Sequence, residues 1–113
     1  MCWDAVGYCG YLAGLTSSEN GGGKNIITSA ADIVNSSNNI TIGHIIGFFE
    51  NGDLKHAMIS LGSGEAAGNK NDCMGFGHSV GWEKINLPEV NREDGTFIPN
   101  GQTRTIVMRH KSF

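Results

Sequence analysis

The stretch IIGFFENGDLKHAMISLG, running from Ile45 to Gly62, constrains this chain more than any other, because two apolar runs flank the dipeptide Asn51-Gly52. Asn-Gly between alternating hydrophobic segments favours a two-residue turn in which both central residues take positive φ, the turn that matches the twist of paired strands. The pattern predicts antiparallel strands at about Gly43 to Glu50 and Lys55 to Leu61. In the second strand the side-chain period of two sets His56, Met58 and Ser60 on one face and Ala57, Ile59 and Leu61 on the other. His56 then sits on the face that a helix could cover.

Around this hairpin the signals differ. From Cys2 to about Leu15, Trp3, Val6, Tyr8, Cys9 and Leu12 recur at helical offsets, with alanines and glycines between them, which predicts a buried helix able to approach a neighbour closely. Ser17 to Asn25, SSENGGGKN, reads as a loop. SAAD at Ser29 to Asp32 has the spacing of a capping box ahead of Ile33 and Val34, so a short second helix is expected there. GSGEAAGNKND reads as a loop, CMGFGHSVGWEKINL as a weak strand or two, and PEVNREDGTFIPNGQ as a polar loop. TRTIVMRHK is expected to form a terminal strand in which Thr105, Val107 and Arg109 alternate against Ile106, Met108 and His110. The sum is an α+β domain in which an N-terminal helix packs on a small antiparallel sheet. At 113 residues the chain has the size of one domain.

Composition removes several function classes. A net charge of -3 with scattered signs gives no basic stripe, which argues against nucleic acid as a partner. No apolar run approaches the roughly 18 residues of a membrane span, and the first residues lack the pattern of a common export signal, so neither a membrane nor a leader is expected. Three cysteines, Cys2, Cys9 and Cys73, are an odd number and leave at least one thiol unbridged. Together with His44, His56, His78 and His110 they form a pool of zinc ligands, but the close pairs of a structural zinc site are missing. No metal and no other cofactor is therefore assigned. GGGKN lacks the spacing of a phosphate-binding loop, and the sequon at Asn39 to Thr41 carries no weight without evidence of secretion in a eukaryote.

What remains is thiol chemistry. A cysteine attacks as the thiolate, which a helix N-terminus and a nearby imidazole both favour. Cys2 opens the predicted helix, and His56 lies on the predicted strand beneath it. A third polar group would fix the imidazole tautomer. Asn69, Asn71 and Asp72 follow the turn after the His56 strand, and Asn69 is preferred as the first strong side-chain acceptor there apart from Glu65. Against this stands the plainer reading, in which Cys2 is a small core residue and His56 a structural one, and the chain is a non-catalytic binding or adaptor module.

Cys2 in CWDAV, followed 54 positions later by His56 in HAMISLG with the glycine turn GSG behind it, resembles the NlpC/P60 and broader papain-like cysteine hydrolases. In those proteins the nucleophile starts a helix and the base opens a strand of the form H-x-x-I-x-x-G. CWDAV with HAMISLGSGEAAGNKNDCMGFG and VGWE also resembles bacterial toxin or effector domains carried at the C-termini of large secreted proteins. The resemblance spans Cys2 to about Leu87. It implies Cys2 as nucleophile, His56 as general base and an amide carbonyl as the target, in a cell-wall peptide or a target-cell protein. It also implies a secreted protein delivered into another cell, of which residues 1–113 are the C-terminal catalytic domain, with a cognate immunity protein as a partner. At the place of the third residue, twelve positions past the histidine, the chain has Gly68 with Asn69 next to it. Removal of Met1 would expose Cys2 as an N-terminal nucleophile.

Overall fold

The computed structural model describes residues 27–69 and 82–112. Among them is one antiparallel sheet of seven strands: β1 (Asp32–Ile33), β2 (Ile45–Glu50), β3 (Asp53–Gly62), β4 (Glu65–Asn69), β5 (Trp82–Asn86), β6 (Thr96–Phe97) and β7 (Ile106–Lys111). The strands lie in the order β1-β7-β2-β3-β4-β5, with β6 also paired to β7. Registers place β6 against the start of β7 (Phe97 opposite Ile106) and β1 against its end (Asp32 opposite His110). The two short strands thus share the edge of β7 that β2 leaves open.

The hairpin forms as its turn dictates. Asn51 and Gly52 take φ of 52° and 82°, the paired positive values that the Asn-Gly turn requires, and Ile45 faces Ile59 while Phe48 faces His56. A shift between Phe48 and Phe49 leaves Lys55 without an opposite residue, so Leu54 joins Phe49. Such a bulge re-aims the strand end. Here it keeps His56 and Leu54 on opposite faces.

Both faces of the sheet are buried, as a central hairpin this apolar requires. On the first, Ile46, Phe48, Met58, Ile106 and Met108 are fully buried, and Val34, Ile40, Leu87 and Phe97 from the connecting segments close over them. On the second, Ile45, Phe49 and Ala57 pack with Ile27 and Ala31, flanked by Leu54, Ile59 and Val107. The alternation predicted for the terminal strand is met: Ile106 and Met108 face one core while Val107 faces the other.

The α+β expectation is corrected by this arrangement. The described residues form antiparallel sheet with no α-helix among them. The short helix expected from Ser29 is absent. Instead Thr28 closes a turn, its carbonyl accepting from the Ala31 N–H at 2.9 Å, and Asp32–Ile33 pairs with β7. The Val34 N–H then donates to the Met108 carbonyl at 2.9 Å, and Arg109 donates to the Ala31 carbonyl at 2.7 Å. An open strand edge offered more backbone hydrogen bonds than a helix of one turn, and the β-branched Ile33 and Val34 suit that edge. Only a 3-10 turn at Ser37–Asn39 follows. The predicted helix from Cys2 to Leu15 lies outside the described residues.

β4 is the second departure from expectation. Glu65–Asn69 lies within GSGEAAGNKND, which reads as a loop, and alanine and glycine favour strands poorly. It forms because Gly62, Ser63 and Gly64 all take positive φ and reverse the chain onto β3. Small residues are then required: a Cβ on Gly68 would lie 3.1 Å from Met58 Cγ and 3.3 Å from the Ala57 carbonyl.

Candidate functional site

His56 occupies the middle of the sheet. Its backbone is in β3, its ring is fully buried, and it stacks on Phe48, its cross-strand partner, with ring centroids 5.6 Å apart and planes at 22°. Burial penalises the charged ring and pushes the His56 pKa down from 6.5 to about 4. The imidazole is therefore neutral at pH 7, one ring nitrogen carrying hydrogen and the other a lone pair. Met58 and Ser60 share its face, as the period of two predicted. Ser60 is held structurally, donating to the Ile40 carbonyl at 3.1 Å and accepting from the Gly62 N–H at 3.2 Å.

Asn69 ends β4, the strand next to β3. Continuing the Ile59–Ala67 pairing by two residues on each strand brings the Asn69 backbone level with Ala57, which sets position 69 on the face of the sheet opposite to that of His56. The position twelve past the histidine is Gly68, which lacks the polar side chain that the resemblance implies there and where even a Cβ would be tight against Met58 and the Ala57 carbonyl. An orienting group has to come from a neighbour. Cys2, Asn71 and Asp72 lie outside the described residues, as do Cys9, Cys73 and His78, so of the proposed triad the structure describes His56 in full and the backbone of Asn69.

Two features escaped the sequence reading. The first is a pair of histidines. His44, just before β2, and His110, on β7, bring their Nδ1 atoms to 3.1 Å. Ring centroids 5.4 Å apart with planes at 24° put the two nitrogens between the rings, so the pair meets edge to edge, one ring donating a hydrogen to the other. Burial, then the neighbouring His44, hold His110 below the usual imidazole pKa against the opposing pull of Asp32. The histidines are 66 residues apart in sequence, and only the pairing of Ile46 with His110 brings them together. Among the described residues, no group of three or more His, Cys, Asp or Glu side chains is placed to hold a metal ion.

The second is a polar cleft of about 440 Å³ between the 3-10 turn and the segment after β5, lined by Asn35, Asn38, Asn39, Glu89 and Arg92 over Leu87. Ser37 pins its two walls by donating a hydrogen bond to the Pro88 carbonyl. Compositional signals for the cleft were weak, since NSSNN reads only as a loop.

No helix among the described residues is long and apolar enough to cross a membrane. Comparison with known proteins finds no matching family model, no matching curated protein and no matching solved structure, so the reading of this site rests on its own residues.

Proposed function

We propose that the chain is a cysteine-nucleophile amide hydrolase, with Cys2 as nucleophile, His56 as general base and a polar residue that follows β4 in sequence, Asn71 or Asp72, as the group that orients the imidazole. The observation that carries the reading is the position of His56: a buried, neutral imidazole on a central strand of the sheet. A neutral ring can take the proton of a thiol. Burial makes the resulting imidazolium costly, and an adjacent thiolate is a counter-ion that offsets that cost. In the reaction, the Cys2 sulfur attacks the amide carbonyl, the His56 imidazolium passes its proton to the leaving amine, and water, activated by the same ring, resolves the thioester. The residues are equally suited to a peptidoglycan peptide and to a protein target, in line with delivery as a toxin or effector domain recognised by an immunity protein.

Expression of the wild type and Cys2→Ala in the bacterial cytoplasm and periplasm tests this. Toxicity confined to the periplasm and abolished by Cys2→Ala indicates the cell wall, and toxicity in the cytoplasm indicates a protein target. Toxicity that survives Cys2→Ala unchanged refutes the catalytic role.

One observation favours a second reading. The complete burial of His56 against Phe48 is also what a structural core histidine shows, and in that case the chain is a binding module.

A further inference from the structure

We propose that His44 and His110 form a two-histidine binding point for a divalent transition-metal cation of the copper, nickel or zinc type, with water completing the coordination and Asp32 supplying nearby negative charge. The inference goes beyond the hydrolase reading and does not depend on it.

The separation of the two nitrogens is its foundation. Two imidazoles bound to one first-row ion at about 2.0–2.1 Å have their nitrogens about 2.9 Å apart at a square corner and about 3.3 Å apart at a tetrahedral one. The His44 and His110 Nδ1 atoms are 3.1 Å apart, between these limits. The spacing is set by the backbone. His110 is paired with Ile46 on one side and Asp32 on the other, and His44 precedes Ile46 by two residues, so imidazole, imidazole and carboxylate follow one another across one face of three adjacent chain segments. Directly opposed residues in an antiparallel pair share a face.

The ligands have suitable chemistry. Imidazole nitrogen suits copper, nickel and zinc, and a two-histidine site leaves positions for water. Both rings are half-buried, so an ion can enter from solvent. At present the Nδ1 lone pair of one ring points at the other, and each ring has to swing by about 40° off the shared axis to aim both at one ion. The broad torsion of a histidine ring allows this at modest cost. The balance of hydrogens is simple: the donor ring moves its hydrogen from Nδ1 to Nε2, both rings bind as neutral imidazoles, and no proton is released. Bound there, the ion would join the segment entering β2 to the end of β7 and stabilise the sheet by mass action.

The test is titration of the whole reduced chain with Ni2+, followed by calorimetry and absorption spectroscopy, for the wild type, His44→Gln and His110→Gln. The expected result is one equivalent bound without a thiolate-to-nickel charge-transfer band, with affinity at least tenfold weaker in each variant. Absence of binding at millimolar Ni2+ overturns the proposal. So does a thiolate band accounting for the bound ion, or an affinity within threefold of wild type in either folded variant. His44 lies outside the strands, so His44→Gln decides the matter alone should His110→Gln fail to fold.

Discussion

The sheet treats its described histidines in two ways. His56 is buried on a central strand, stacked on Phe48, and is held neutral by that burial. His44 and His110 meet at a half-open corner, where each ring answers the other's hydrogen-bonding needs. The difference shows that an imidazole's chemistry here follows from where its strand runs in the sheet. A central strand makes a buried, neutral base, whereas the end of a strand makes a pair that solvent can reach.

The largest effect should come from removing the wall of the buried site. Phe48→Ala deletes the ring stacked on His56 and set edge-on to Phe97, 6.1 Å away. A loss of about 4 kcal/mol is expected in denaturant unfolding, the usual scale for a buried phenylalanine. A loss below about 1 kcal/mol would mean that the ring is not part of a close-packed core.

Acid should act next. The pKa of His56 is about 4 in the folded chain against 6.5 ordinarily, so the unfolded chain binds the proton more tightly. The stability due to neutral His56 is complete above pH 6.5 and is lost as pH falls from there toward 4, amounting to about 3 kcal/mol. His56→Phe retains an aromatic ring against Phe48 and should remove that share of the slope. Urea midpoints at pH 7 and pH 4.5 check it; equal slopes in both proteins would break the distinction between the two histidine settings.

The corner should respond least. His110→Ala and His44→Ala each remove the same part-buried hydrogen bond and are expected to cost about 1 kcal/mol. The double variant should cost less than the sum of the two, since the shared bond is lost only once. Strict additivity in the unfolding free energies would show that the 3.1 Å contact contributes nothing.

How much of this was legible in the sequence depends on whether the signal was local. Asn51-Gly52 demands its turn wherever it occurs, and the alternation of His56, Met58 and Ser60 follows from the pleat, so the hairpin and the buried face of His56 could be read directly. Ile106 to His110 was equally plain. β4 was not, because alanine and glycine at 66 to 68 are chosen for the space beside Met58 rather than for strand propensity. Asp32 and Ile33 misled for the opposite reason: a local capping pattern lost to the open edge of β7. With that helix gone among the described residues, the α+β expectation yields to an antiparallel sheet. The His44–His110 pair was illegible because it depends on strand register between distant segments. His56 and Asn69 were legible as candidates through order and spacing, but their relation across the sheet was not: the strands are neighbours, and the register sets position 69 level with Ala57, on the other face from His56.

The most direct measurement is the rate of iodoacetamide alkylation at Cys2 against pH, in the wild type and in His56→Gln. Thiolate–imidazole pairing predicts a midpoint below about 7.5 and a rate well above that of a free peptide thiol, with the midpoint rising toward the ordinary thiol value of about 8.5 in His56→Gln. A Cys2 that reacts no faster than Cys9 or Cys73 in the unfolded chain, with the same midpoint in both proteins, would contradict the account.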